Sequence, residues 1–127
     1  VQRTRRHPYL ALFDAADPNQ SVASRQPTTT PTQALYLMNS PFVHARSEGL
    51  AIRLLASPGD PEHVVRRAFE MAHGRLPGDR EVQNAVAFVT GYREKLSSKG
   101  GPRKRDLAAW SALARVLLTS NAFLYVD

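Results

Sequence analysis

Cysteine is absent from this chain, which removes disulfides, thiolate catalysis, c-type haem attachment and cysteine zinc sites from its 127 residues. No apolar run approaches the roughly 20 residues that a membrane-spanning helix needs, and no signal-type apolar run is present. The histidines His7, His44, His63 and His73 form no HExxH motif and no pair at helical i, i+4 spacing, so a zinc site has no support in the spacing. Glycine-rich phosphate loops and a nucleophile elbow are also missing, and Gly100-Gly101 reads as a loop tip. Strand signals are nearly absent and no repeat recurs at a fixed period.

What is there is globular in character. Apolar residues make up 43% and charged residues 22% of the chain, a balance that folds rather than staying disordered. The length suits one domain with a real core. The chain begins at Val1 rather than methionine, which is expected of a piece of a longer protein. The net charge is +6, and its location decides what it means: residues 1–13 contribute +3, residues 93–106 contribute +4, and the remainder sums to −1. The helical body is close to neutral, whereas a DNA-reading helix carries its own basic face. Nucleic acid is therefore not the expected partner. The two basic segments leave a weaker reading, binding to acidic polymers with an affinity that falls with salt.

The stretch from Phe13 to Val43 organises the rest. In Asp14-Ala-Ala-Asp17-Pro18-Asn19 the short polar side chains can fold back on backbone N–H groups and Pro18 fixes one φ, which is turn chemistry. Thr30 as N-cap, Pro31 at the first helical position and Gln33 three residues after the cap form a helix start. The short helix that follows, with Ala34, Leu35, Leu37 and Met38, is expected to end near Asn39. Ser40-Pro41 repeats the signal and launches a second helix, so the two meet at a corner.

Val1 to Leu12 is basic and then mildly apolar, and is read as an extended arm. A helix is expected from Pro41 to about Ala56, burying Val43, Ser47, Leu50, Ala51 and Leu54 on one face. Ser57-Pro58-Gly59 breaks it. Asp60 then caps a helix with Pro61 first, Glu62 near its positive end and Val65, Ala68, Phe69 and Ala72 inward, stopped by Gly74. The short connection Arg75-Leu76-Pro77-Gly78 implies an antiparallel neighbour over roughly Asp79 to Leu96, with Val82, Ala85, Val86, Val89 and Leu96 at helical spacing. Residues 97–102 read as a flexible loop. The last helix is expected from about Arg105 to Ser120, with Leu107, Trp110, Leu113, Ala114 and Leu117 inward; Asn121 stops or turns it before an apolar tail of Phe123, Leu124, Tyr125 and Val126. The fold class is all-α: a compact bundle of about five helices with an extended N-terminal arm and a docked C-terminal tail. Residues 1–30 form the arm and turn region, and residues 31–127 the helical domain.

With those residues in view, the chain resembles the C-terminal part of a planctomycete-type family catalogued as domain of unknown function 1553. The resemblance rests on Phe13-Asp-Ala-Ala-Asp-Pro-Asn-Gln20, on Thr28-Thr-Thr-Pro31 with Gln33-Ala-Leu35, and on Leu37-Met-Asn-Ser-Pro-Phe-Val43. It continues at Gly74-Arg75, Trp110, Ser120-Asn121 and Phe123-Leu124. It implies a large extracytoplasmic polypeptide with this region last, preceded by a companion domain of unknown function and in some cases a c-type cytochrome segment. Haem would then sit only on upstream segments, and no cofactor is expected in this one. The expected partners are upstream domains of the same polypeptide. No reaction comes with the resemblance.

The best candidate for a ligand site is Asp14, Asp17, Asn19, Arg25, Thr28, Thr29 and Thr30. Hard oxygen ligands at short spacing could hold Ca²⁺, although a calcium loop would carry more carboxylates and a glycine. The simpler reading is a turn that caps its own backbone and pairs with Arg25. His73 is expected to act as a favourable charge at a helix C-terminus, and Phe69 and Trp110 as core. Two functions follow: a noncatalytic helical module that docks onto the rest of a larger protein, or the polar wall of a site shared with upstream domains, in polysaccharide-related or redox metabolism.

Overall fold

The computed structural model describes residues 12–14, 16, 36–96 and 100–124, with residues 121–124 as backbone only. Four helices carry the architecture: α1 (Pro41–Ala56), α2 (Pro61–His73), α3 (Asp79–Lys95) and α4 (Gly101–Leu124). No strand occurs among the described residues. The all-α bundle expected from the sequence is what forms.

The starts of the first three helices, and the end of α2, have local causes. The turn at Tyr36–Met38 closes where expected, with Asn39 N–H donating to Tyr36 O at 3.2 Å and Ser40 N–H to Leu37 O at 3.0 Å. Ser40 Oγ then accepts from the Phe42 and Val43 amides at 3.2 and 3.4 Å, and Pro41 occupies the first turn of α1, where its missing N–H costs nothing. Asp60 Oδ1 accepts from His63 N–H at 2.9 Å to start α2. Gly74, at φ 72°, ends it in the left-handed region that a side chain would strain. In α3 the start is held by Glu81, whose Oε1 accepts from Gly78 N–H at 2.8 Å.

Helix α4 is the axis of the bundle and touches α1, α2 and α3. Its sequence pattern predicts one inward face. Instead Ala109, Ser111, Ala112, Val116, Thr119 and Ser120 are buried along with Trp110, Leu113, Ala114 and Leu117, the pattern of a helix surrounded by its neighbours. Two of its hydroxyls are absorbed by its own backbone: Thr119 Oγ1 donates to Arg115 O at 2.7 Å and Ser120 Oγ to Leu117 O at 3.1 Å.

Three expectations need correction. Helix α4 runs from Gly101 to Leu124, not from Arg105 to Ser120. Pro102 lies in the first turn, where proline is tolerated, and the modest helix penalty of Asn121 is outweighed by the packing of the turns before it. Leu12, Phe13, Asp14 and Ala16 are helical, although the sequence pattern assigns Leu12 to an extended arm and Asp14 and Ala16 to a turn. The reason is burial: Leu12 and Phe13 lie in the same core as the helices, and the Phe13 ring stacks on Phe88 of α3 at 5.0 Å between centroids. An apolar pair of this size gains more from burial, about 1.5–3 kcal/mol per side chain, than Asp14 could gain from a local turn. Last, Ser97–Pro102 is not all loop, since Gly101 and Pro102 belong to α4. The Thr30-Pro31 helix start and the docking of Tyr125 and Val126 lie outside the described residues.

Candidate functional site

Helix α1 is braced on one side and at both ends. Its inward residues Ser47, Ala51 and Leu54 are fully buried, with Val43 and Leu50 partly so. Ser47 Oγ donates to Val43 O at 2.6 Å, which satisfies the buried hydroxyl without a partner from another helix. At the far end Arg67 of α2 reaches across, its Nη1 donating to Leu54 O at 3.3 Å and Ser57 O at 3.5 Å. An arginine thereby caps carbonyls at the negative end of a helix that has only Arg53 as a basic residue in its own last turn.

The opposite side of α1 is also apolar. At about 100° per residue, Phe42, Ala45, Gly49, Ile52 and Ala56 fall in a strip about 80° wide, directly away from Ser47, Ala51 and Leu54. All five are exposed, Phe42 at 68% and Ile52 at 55%, and Leu55 stands at the edge of the strip at 36%. Arg46 and Arg53 line one edge, and Glu48 and Leu55 the other. The Arg46 guanidinium lies over the Phe42 ring with its Cζ 5.6 Å from the centroid, which holds both groups at the rim. Neither Arg46 nor Arg53 has a carboxylate partner among the described residues. Among the described residues, nothing beyond the adjoining backbone of α1 itself stands within 4 Å of where a Cβ on Gly49 would lie.

Residues with chemical potential elsewhere are committed to structure. His73 Nε2 lies 2.8 Å from Leu117 O. A carbonyl only accepts, so this nitrogen carries the proton and ties the end of α2 to the middle of α4. The expected histidine at the helix end is there, and it also bridges two helices, with the ring edge-on to Phe69. Arg75 makes a two-pronged contact with Glu81, Nη1 to Oε1 at 3.0 Å and Nη2 to Oε2 at 2.9 Å, while its Cζ sits 5.6 Å above the Phe69 ring. The Gly74-Arg75 turn is thus a staple between α2 and α3. Arg93 pairs with Asp106 at 3.0 Å across the α3–α4 connection. Two buried polar atoms, Arg105 Nε and Ser111 Oγ, have no hydrogen-bond partner among the described residues. They are six residues apart on α4, so they point about 120° apart and build no common site.

Of the ligand residues expected from the sequence, only Asp14 is described. It is exposed and helical. Asp17, Asn19, Arg25, Thr28, Thr29 and Thr30 lie outside the described residues, as does His7, while His44 and His63 are exposed on α1 and α2. Among the described residues no three or more histidine, aspartate or glutamate side chains gather as metal ligands would, and no helix is long and apolar enough to cross a membrane. The outer strip of α1 was missed by the sequence reading. Its signal was present: Phe42, Ala45, Ile52 and Leu55 are apolar yet fall off the face expected to be buried.

Fold and surface together define a small all-helical module whose helix α1 presents an uncovered apolar side. The chain belongs to the family described as PSD1, protein of unknown function (DUF1553), which matches residues 1–89. The matched part includes α1, α2 and most of α3; α4, which fills the centre of the bundle, follows it. No curated protein and no solved structure matches the chain.

Proposed function

We propose that this chain is a noncatalytic helical module of a longer extracytoplasmic polypeptide, and that it works by docking onto another part of that polypeptide through the outer face of α1. The observation that carries the reading is the contiguous strip of Phe42, Ala45, Gly49, Ile52 and Ala56 on a helix fixed at both ends. Single exposed apolar residues are ordinary, but a continuous apolar strip edged by charge is the character of an interaction surface. Covering it would contribute about 25 cal/mol for each Å² of apolar surface removed from water. The noncatalytic part is supported by the way His73, Glu81 and Asp60 are engaged in tying elements together. The extracytoplasmic setting follows the family resemblance alone.

The test expresses this chain and the remainder of the polypeptide separately and measures their association by titration calorimetry. Ile52→Glu is expected to abolish association while leaving the circular dichroism and melting temperature of the chain unchanged, because Ile52 lies on the exposed side of α1. Association that survives Ile52→Glu at full strength overturns the docking role.

A further inference from the structure

Resting on that docking role, we infer that the occupant of the α1 face is an amphipathic helix that carries acidic residues along one edge. Three features of the face select it. The first is shape. Phe42 and Ile52 stand ten residues apart, about 15 Å along the axis, and the floor between them is Ala45 and Gly49. A helix lying along α1 seats Phe42 and Ile52 in its own grooves and approaches closely over Ala45 and Gly49, where the side chains are smallest.

The second is Gly49 itself. It sits inside α1 with no positive φ and with open space around a would-be Cβ. Glycine is the weakest helix former after proline, and nothing among the described residues needs it at this position. A partner backbone crossing at Gly49 supplies the reason.

The third is charge. Arg46 and Arg53 stand seven residues apart on one edge, and Glu48 is the only acid in α1. A second copy of the chain is a poor occupant. Paired antiparallel through this face, like edges meet, and Arg46 and Arg53 of one copy face those of the other. Paired parallel, two arginines meet an edge with one glutamate. A helix with two carboxylates one heptad apart satisfies both arginines, and Arg46 is already oriented by the Phe42 ring.

The experiment uses the 127-residue chain and two synthetic helical peptides with the same leucine and alanine face, one with glutamates a heptad apart on one edge and one with lysines there. Binding is followed by calorimetry and by amide shifts in the labelled chain. The glutamate peptide is expected to bind about tenfold more tightly than the lysine peptide, which corresponds to about 1.4 kcal/mol, with shifts centred on Ala45, Gly49 and Ile52. Arg46→Gln with Arg53→Gln is expected to erase that preference, and added salt to shrink it. Equal binding of the two peptides at this face keeps the docking role and overturns the acidic partner. Binding of neither, or shifts confined to other helices, overturns both. A dimer in sedimentation that Ile52→Glu dissolves would assign the face to a second copy and overturn the acidic helix as its occupant.

Discussion

Helices α1 and α4 are alike in carrying apolar residues on more than one side, yet they end in different environments. In α4 every residue from Ala109 to Ala114 is buried, because α1, α2 and α3 surround it. In α1 the inner side is buried against α4 and the outer side, with Phe42 and Ile52, meets water. What separates them is the number of neighbours and not the kind of side chain. A sequence that is apolar around a helix predicts neighbours on all sides, and α1 lacks one of them among the described residues.

Truncation on the two helices exposes the difference most directly. Leu113→Ala empties a fully buried position at the centre of the bundle and is expected to cost about 2–5 kcal/mol. Ile52→Ala removes a similar volume from the outer strip and is expected to change stability by no more than about 0.5 kcal/mol. Urea unfolding followed by Trp110 fluorescence measures both. If Ile52→Ala cost as much as Leu113→Ala, the outer face of α1 would be covered from within the chain and the contrast between the helices would vanish.

A second perturbation acts on what covers α4. The staple of Arg75, Glu81 and Gly78 sets how α2 and α3 leave their shared turn to pack on α4. Glu81→Ala loses the acceptor for the Gly78 amide and both contacts to Arg75, for an expected loss of about 1–2 kcal/mol. Arg75→Ala should cost less, under about 1 kcal/mol, because its side chain is 46% exposed and solvent screens the ion pair. Thermal unfolding of the two variants ranks them. The reverse order would place the weight of the turn on the stacking of Arg75 over Phe69.

The third acts on α1 alone. Ser40→Ala leaves the Phe42 and Val43 amides without their side-chain acceptor and is expected to cost about 1 kcal/mol. Its signature is local: faster hydrogen exchange at Phe42 and Val43, with the amides of α4 unaffected until global unfolding. Uniform loss of protection through α4 would mean that the first turn of α1 and the centre of the bundle unfold as one.

The parts of this fold that could be read in the sequence are those with local causes. Ser40-Pro41, Asp60-Pro61 and Gly74 announce helix ends because caps, proline and left-handed glycine act within four residues. What was misread depends on distant partners. Nothing near Phe13 in sequence reveals that its ring stacks on Phe88, and nothing near Asn121 says that α4 is held firmly enough to run past it. Periodicity establishes that α1 is a helix with an apolar face, and it points to the side that packs on α4. The remaining apolar residues of α1 are the trace of the docking strip. The acidic and threonine-rich candidate site, from Asp14 to Thr30, is represented in its ligand residues by Asp14 alone among those described.

A small effect of opposite sign tells the two faces of α1 apart most cleanly, because it stabilises. Gly49→Ala places a methyl group in open space on an exposed helix surface, so it is expected to raise the stability of the chain by about 0.5–1 kcal/mol through helix propensity alone. Gly91→Ala in α3 is the control, since its Cβ also meets nothing within 4 Å, and it should gain a comparable amount. Only at Gly49 should that gain come with weaker docking, because only there would the added methyl stand between two helices at their closest approach. Chemical denaturation and peptide titration on the same two variants separate stability from binding. A Gly49→Ala chain that is more stable and docks as well as before would mean that the glycine has no partner backbone to admit, and that the outer strip of α1 makes its contacts through Phe42 and Ile52 at a greater distance.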